Sequence, residues 1–217
     1  LIVAAAGEPV ARFTYVRLHM NDHPVAVRLA LEVHDAAFAT RSFSSNGVLY
    51  RIEAGGTFAY LGEDPVEYAG AFTQLTHRRT QDLQPVIDLL RWLHDASDQE
   101  VAAHLGEHID VDSFATYLAL QDLLGNRQDL TGTDHDGSLW YDLSSHRFRV
   151  ISRDLDGTFT QDPRNPVRDR TASATGAGTS VLVARALRVP SFAAAYRSHV
   201  ESLQVELFTS GLADRLA

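Results

Sequence analysis

The first third of the chain alternates between apolar and polar positions in the way that β-strands do. Residues 13–18 and 25–31 show this alternation, and the turn residues 21–24 (Asn-Asp-His-Pro) separate them. This pattern predicts a β-hairpin. A second turn signal, Asn46-Gly47, precedes a further strand at Val48–Ile52. Since the chain starts on strand-like sequence without a lead-in, we expect further strands of this sheet upstream of Leu1.

Helical spacing replaces the alternation after residue 63. Asp64 followed by Pro65 is a helix-start signal that predicts a helix over 66–75. Apolar residues at three- and four-residue spacing predict a second helix over 80–93. A capping-box pattern at 97–100 starts a third helix, and a fourth covers 114–124, where Gly125 stops it.

The last third returns to short strands before it ends in helices. Residues 138–142 and 147–151 predict two strands joined by a tight turn. A stretch rich in Pro, Arg, Gly, Ser and Thr over 161–180 predicts a loop. Two helices, 181–188 and 191–208, close the chain.

Composition narrows the classes of partner. The formal net charge of −9, without a basic stripe, argues against a nucleic-acid partner. No apolar run approaches the roughly 20 residues that span a bilayer, so no membrane span is expected in this chain. The opening LIVAAAG lacks a basic flank and is therefore expected to be neither a signal peptide nor an anchor. The chain has no cysteine, which excludes disulfides and thiolate metal sites.

Lysine is also absent, so all 19 basic residues are arginines. Any mechanism that requires a positively charged side chain must therefore use arginine. The two residues are not equivalent, because the guanidinium is a planar, always charged fork and the ammonium is a point charge.

Acidic residues cluster around the second predicted hairpin. Asp129, Asp134 and Asp136 follow the fourth helix, and Asp154 and Asp156 come directly after the second strand. Two carboxylates spaced as D-x-D at a strand end suit a hard cation such as Mg²⁺. Taken alone, the same pattern is also that of a turn or a helix cap, and the acidic loop also fits a solvated surface.

The order of these residues follows that of eukaryotic-type protein kinases. There, a catalytic loop offers an aspartate base and a metal-binding residue, and a hairpin leads to a second metal-binding aspartate. Here Asp129 follows a helix, Asp136 precedes a hairpin, and Asp154 follows it. Phosphoryl transfer requires metal charge on the phosphates and a base at the acceptor hydroxyl, so both arrangements meet the same demand.

Several ordered segments make the chain similar to the CotH kinase family. The central ones are Leu124-Gly125-Asn126-Arg127-Gln128-Asp129, Leu139-Trp140-Tyr141-Asp142 and Val150-Ile151-Ser152-Arg153-Asp154-Leu155-Asp156-Gly157-Thr158-Phe159. Upstream, Glu32, Asp35 and Phe38 resemble the family's E-x-x-D-x-x-F, and residues 47–51 resemble its G-x-L-Y-K. Near the end, Pro190, Phe192 and Tyr196 resemble its P-x-F-x-x-x-Y. The resemblance covers nearly the whole chain from about Tyr15.

This resemblance implies a two-lobed, kinase-like α+β fold that uses ATP and a divalent metal, Mg or Mn, to phosphorylate protein Ser or Thr hydroxyls. A single, N-terminally incomplete domain would span 1–217, with a β-rich part over 1–62, a mainly helical lobe over 63–217, and the site hairpin at 136–156. The family also implies an extracellular, cell-surface or coat-associated protein and a substrate in that location.

Carried over by position, the resemblance assigns roles to six residues. Asp129 would be the catalytic base, and Asp154, Asp156 and Asp136 would hold the metal. Glu32 and Arg51 are assigned to cofactor binding; Glu32 would help to order the site, and Arg51 stands where the family has lysine. Trp140 and Phe159 are expected to pack in the core beneath the site.

Departures from the family pattern leave two alternatives open. The family's upstream basic segment is missing, Asp136 replaces an asparagine, and Ser152-Arg153 replace Pro-Trp. These changes favour an inactive pseudokinase that serves as an assembly module of a surface or coat structure. A metal-binding, carbohydrate-associated module is a further alternative and would show an exposed aromatic platform.

Overall fold

The computed structural model describes residues 1–43, 46–53, 58–126, 128–130, 137–153, 155–159, 170 and 180–216. Over these residues the strands are β1 Phe13–Leu18, β2 Ala26–Leu31, β3 Gly47–Ile52, β4 Phe72–Gln74, β5 Gly137–Asp142 and β6 Arg147–Ser152. The α-helices are α1 Ile2–Ala5, α2 Ala36–Ser42, α3 Gln84–Asp95, α4 Asp98–His108, α5 Val111–Leu123, α6 Val181–Arg188, α7 Pro190–Leu203 and α8 Leu212–Leu216. A 3-10 turn covers Pro65–Tyr68, and a π-helical turn, Gln204–Thr209, continues α7.

Two antiparallel sheets form from these strands. The hairpin β1–β2 stands as a two-stranded sheet, and the four-stranded sheet has the order β4-β3-β5-β6. Both hairpins expected from the sequence, β1–β2 and β5–β6, are confirmed. Because β3 pairs with β5, the strand expected after Asn46-Gly47 lies in the same sheet as the site hairpin.

The four-stranded sheet separates two apolar clusters, as the alternation of side chains along a strand requires. Val48, Tyr50 and Ile52 of β3 belong to the main core, which the helices α3 to α7 also line. Leu49 faces the other way, into a smaller cluster with Phe38 of α2. The remaining members of this second cluster are Ala39, Phe43, Trp140 and Ile151.

The glycine that begins β3 is required by close strand approach. A Cβ atom on Gly47 would lie 2.3 Å from the backbone oxygen of Tyr141 and 2.5 Å from the ring of Trp140. A Cβ atom essentially never comes this close to an atom to which it is not bonded, so no side chain fits there. Tyr50 is fully buried and its hydroxyl donates to the backbone oxygen of Asp82 across 3.0 Å. The glycine and tyrosine of the segment 47–51 therefore have structural causes.

One predicted helix is wrong. The helix expected over 66–75 is a single 3-10 turn, Pro65–Tyr68, followed by strand β4. The start signal is real, because Asp64 caps the turn by accepting from the N–H of Val66. The chain then leaves the helical path because β4 pairs with β3, which buries Phe72 and Gln74. Tertiary pairing overrides local helical preference here.

The other elements confirm the predicted α+β class. α6 has the expected bounds, 181–188, and the capping box of α4 forms between Ser97 and Glu100. α3 begins at Gln84, four residues later than expected, and the apolar opening of the chain contains the short helix α1. Within the described residues, none of the helices has the length and apolar content needed to cross a bilayer.

Candidate active site

The candidate site is built on the end of α5, a helix that is buried on nearly every side. Asp110 caps its first turn by accepting from the N–H of Ser113. Gln121 and Asp122 stand in its last turn and are buried, although the helix is otherwise mostly apolar. A buried polar side chain requires hydrogen-bond partners. These two residues find theirs in separate networks, which meet at the loop that carries Asp129.

The first network joins two carboxylates through one arginine. Arg170 donates from Nε to Oδ2 of Asp122 across 2.5 Å and from Nη2 to Oδ2 of Asp129. Tyr196 of α7 donates its hydroxyl to the same oxygen of Asp122 across 2.7 Å. The side chains of Asp122, Asp129 and Arg170 are only 2%, 1% and 2% exposed. The predicted base is therefore buried and ion-paired.

Burial and ion pairing shift the pKa values of this network in opposite directions. Burial lowers the pKa of the Arg170 guanidinium. The attraction of Asp122 and Asp129 and the hydrogen bonds to them raise this pKa by more than burial lowers it, so the net shift of the pKa is upward. Burial also raises the pKa of Asp122, and the Arg170 charge opposes that shift. The three groups together carry one negative charge when all are ionised, because two carboxylates share one guanidinium.

The second network ties the loop after α5 to the end of β6. Gln121 donates to Oγ of Ser152 across 2.7 Å and accepts from Nδ2 of Asn126, also across 2.7 Å. The backbone N–H of Phe159 donates to the oxygen of Leu124 across 2.8 Å. The loop that bears Asp129 and the segment that bears the predicted metal ligands are thus hydrogen-bonded side by side.

Of the three predicted metal ligands, the structure places Asp156 alone, in an exposed turn after β6. Asp154 and Asp136 lie outside the described residues. Within the described part of the chain, no three His, Cys, Asp or Glu side chains form a metal-binding group. The metal set predicted from the resemblance therefore stays a prediction.

An unusual carbonyl oxygen lies beside this turn. Oε1 of Gln128 is buried and accepts no hydrogen bond from any described residue. It comes within 3.1 Å of the position that a Cβ atom on Gly157 would take. A buried acceptor without a donor carries a desolvation cost that an approaching cation or donor can offset. The amide oxygen near Gly157 is therefore of the kind that Mg²⁺ accepts.

Positively charged and polar side chains gather on the sheet face opposite the main core. Arg51 of β3 is paired in register with Ser138 of β5, and its Nε lies 3.2 Å from a carboxylate oxygen of Glu53. His34 is buried against the same face, where Nδ1 lies 3.1 Å from Oγ of Ser138. Burial lowers the pKa of His34 to about 4, and the nearby charge of Arg153 adds to this effect. His34 is therefore neutral at physiological pH.

Glu32 lies at the edge of this group. It accepts from the side chain of Arg41 on α2 and from the backbone N–H of Arg12 across 2.8 Å. The hydrogen bond from Arg41, followed by the one from Arg12, lowers the pKa of Glu32. The negative charge of Glu32 raises the pKa of His34 against the larger effect of burial, so Glu32 is close enough to act on this face. The pair of Glu32 and Arg41 fastens the hairpin β1–β2 to α2.

Two aromatic residues near the site were expected to pack in the core, and one of them does. Trp140 is buried, with 3% exposure, and stacks on Phe43 with ring centroids 4.2 Å apart, as expected of core packing. It offers no exposed platform for a sugar. Phe159 is 63% exposed, so its expected place in the core is wrong. Its hydrogen bond to Leu124 holds its backbone, at φ +57°, and its ring faces outward.

Sequence reasoning missed the buried charge network. Arg170 lies in the stretch predicted to be a loop, and Tyr196 was noted only as part of the P-x-F-x-x-x-Y resemblance. One signal was present, because Gln121 and Asp122 interrupt the apolar run of α5. Two adjacent polar residues on an otherwise buried helix predict partners, but the sequence does not show which residues supply them.

Comparison with known protein families identifies the family of this chain. The sequence matches the family model described as CotH kinase protein over residues 2–215. The chain therefore belongs to the CotH kinase protein family, as the sequence motifs indicated. A search of the curated proteins found no match.

Proposed function

We propose that this protein is an atypical protein kinase that transfers phosphate from ATP to Ser or Thr hydroxyls, with Mg or Mn as the metal. The observation that carries this proposal is the pairing of two loops. Gln121 joins the loop of Asp129 to the end of β6, and the Phe159 to Leu124 hydrogen bond joins the segment beyond it. A base and a metal site for one phosphoryl group must lie side by side, and the hydrogen bonds between these loops support such an arrangement.

The proposed roles follow the family pattern. Asp129 accepts the proton of the substrate hydroxyl, and Asp154, Asp136 and Asp156 hold the metal ion. ATP would supply the phosphoryl group, and the metal ion would supply the positive charge that stabilises that group in transfer. Glu32 orders the adjoining face through its pair with Arg41.

In this proposal arginine replaces the lysine that kinases direct at the phosphates. Arg51 of β3 is paired in register with Ser138, which contacts the neutral His34, and the charge of Arg153 acts on the same histidine. A guanidinium can bind two phosphate oxygens at once, so it is a suitable substitute in a chain that has no lysine. The protein substrate is proposed to be a secreted, coat or cell-surface protein, as the family implies.

A second candidate function is supported by a different observation. Asp129 is 1% exposed and is ion-paired with Arg170. A carboxylate in that state serves a purely structural purpose equally well. A catalytically inactive pseudokinase that acts as an assembly module of a surface or coat structure would keep this ion pair for stability.

A phosphate-transfer assay separates the two candidates. Purified wild type, Asp129→Asn and Asp95→Asn are incubated with radiolabelled ATP, Mg²⁺ or Mn²⁺, and dephosphorylated casein as a generic hydroxyl acceptor. Asp95 is an exposed aspartate at the end of α3 and serves as the matched control. Metal-dependent labelling that Asp129→Asn abolishes and Asp95→Asn preserves supports the kinase. Failure of the folded wild type to label itself or casein supports the pseudokinase.

A further inference from the structure

A single buried guanidinium sets the spacing between Asp129 and the helix on which the site is built. Arg170 uses Nε for Asp122 and Nη2 for Asp129, so two different nitrogens of one rigid plane hold the two carboxylates. All three side chains are at least 98% buried. Water therefore does not compete for these hydrogen bonds, and the pairing is correspondingly well defined.

Asp122, Arg170 and Asp129 form a bridge, and its anchor, Asp122, is part of the helical framework. Asp122 belongs to α5, and its oxygen also accepts from Tyr196 of α7. The two helices pack against each other, with the rings of Phe114 and Phe192 5.3 Å apart. Because Asp122 is held from two sides, the far end of the Arg170 plane places the Asp129 carboxylate relative to α5 and α7.

The bridge also brings a positive charge into contact with Asp129. Two carboxylates that share one buried site disfavour each other's ionisation, unless a positive charge lies between them. Arg170 supplies that charge, and its own pKa stays above the usual range once the attraction of the carboxylates outweighs its burial. A base must be ionised before it can accept a proton, and a guanidinium in contact with a carboxylate favours the charged form.

We infer that Arg170 is a positioning residue for the catalytic Asp129, with Asp122 and Tyr196 as the anchor through which it acts. This inference rests on the proposed function, because it concerns the base of the proposed transfer. It assigns a role to a residue within a stretch that the sequence predicts only to be a loop. It also explains why an otherwise apolar helix ends in a buried aspartate.

Two substitutions separate the geometric role of Arg170 from its charge. Arg170→Gln removes the charge, and Arg170→Lys keeps it but cannot hold two carboxylates with one plane. With Mg²⁺ and ATP, hydrolysis and casein phosphorylation by both variants should show a kcat about 10- to 100-fold lower, with KM for ATP within about twofold. The acid limb of the kcat profile should move up by about one pH unit in Arg170→Gln and stay in place in Arg170→Lys.

Arg185→Gln is the matched control, because Arg185 is another largely buried arginine outside the site. It donates to the backbone oxygen of Ala96 across 2.6 Å and to Asp98 across 3.0 Å. This variant should lose stability but keep the wild-type kcat and pH profile. Arg170 variants with wild-type kcat and pH profile, or with a raised kcat, would overturn the inference; a raised kcat would make Arg170 an inhibitory contact.

A measurement without activity tests the bridge itself. Thermal unfolding of Asp129→Asn, Arg170→Gln and the double variant forms a double-mutant cycle. The loss of Tm in the double variant should be smaller than the sum of the single losses by more than about 3 °C. Additive losses would overturn the bridge. An inactive wild type with a coupled cycle would reject the proposed function and the catalytic part of the inference, and would leave the ion pair as structure.

Discussion

Tyr196 of α7 donates its hydroxyl to Oδ2 of Asp122 on α5 across 2.7 Å, with both side chains buried. Tyr196 is the last residue of the P-x-F-x-x-x-Y segment, and Asp122 holds the arginine that binds Asp129. Helix α7 is therefore connected to the candidate base through two hydrogen-bonded residues, Asp122 and Arg170. This connection gives a physical reason for a tyrosine at that position, beyond its contribution to the apolar core.

Removal of the Tyr196 hydroxyl should weaken the fold measurably. Tyr196→Phe leaves a buried carboxylate oxygen with one donor fewer, which costs about 1–2 kcal/mol in the free energy of unfolding. Tyr60→Phe is the control, because the Tyr60 hydroxyl binds the exposed Glu63. Urea unfolding followed by circular dichroism measures both. Equal midpoints for the two variants would contradict the role given to Tyr196.

A methyl group at position 47 should be poorly tolerated. The Cβ of Gly47→Ala would overlap the backbone oxygen of Tyr141, so strands β3 and β5 would have to separate. The expected loss is about 3 kcal/mol or more. Gly70→Ala is the control, since nothing lies within 4 Å of its Cβ position. A Gly47→Ala protein that unfolds at the same urea concentration as Gly70→Ala would refute the close approach.

Loss of Gln121 should affect both stability and ligand binding. Gln121→Leu leaves Ser152 and Asn126 without their buried partner, at a cost of about 2 kcal/mol. The loops would lose their alignment, so the rise in Tm produced by ATP with Mg²⁺ should shrink. Gln84→Leu is the control, because its amide binds Asp88 on the surface. An unchanged ATP-induced shift in Gln121→Leu would argue against the loop pairing.

Glu8 should make the protein less stable as the pH rises. Burial raises the pKa of Glu8 from 4.5 to about 7, against the opposing charge of Arg149 and a hydrogen bond from Ser113. An acid with a raised folded pKa contributes stability that is complete below pH 4.5 and is lost as the pH passes 7. With a side chain that is 9% exposed, the loss is on the order of 2–3 kcal/mol.

The comparison with Glu8→Gln isolates this effect. Its unfolding free energy should lack the decrease that wild type shows between pH 5 and pH 8. His34 acts in the opposite direction, because its folded pKa of about 4 lies below its usual value and its contribution is lost as the pH falls from 6.5 to 4. The difference between the two proteins cancels the His34 contribution. A constant difference across this pH range would contradict the assignment.

Local signals predicted the elements whose causes are local. α6 has its expected bounds because its apolar positions repeat at helical spacing, and α4 starts at a capping box that the sequence shows directly. The helix expected over 66–75 failed because β4 obtains its hydrogen bonds from β3, about 20 residues away. Pairing between distant segments leaves no mark on the local pattern.

In the candidate site as well, motif order predicted the loops, whereas the partner from a distant segment was not predicted. Asp129 and Asp156 stand in loops that motif order predicted, and these loops are hydrogen-bonded to each other. The partner of Asp129 was not foreseen, since Arg170 is 41 residues away in a stretch without periodicity. The roles of Asp129, Asp154, Asp136, Asp156, Glu32 and Arg51 remain predictions that the following measurement addresses.

The most direct test of the proposed kinase function is metal-dependent binding of ATP. The Tm of wild type and of Asp154→Ala is measured with and without ATP, in the presence of Mg²⁺, Mn²⁺ or EDTA. We expect a rise in the Tm of wild type that needs both ATP and metal and is lost in Asp154→Ala, because a ligand that binds the native state alone stabilises it. A folded wild type whose Tm does not respond to ATP and metal would contradict the kinase and favour the assembly module.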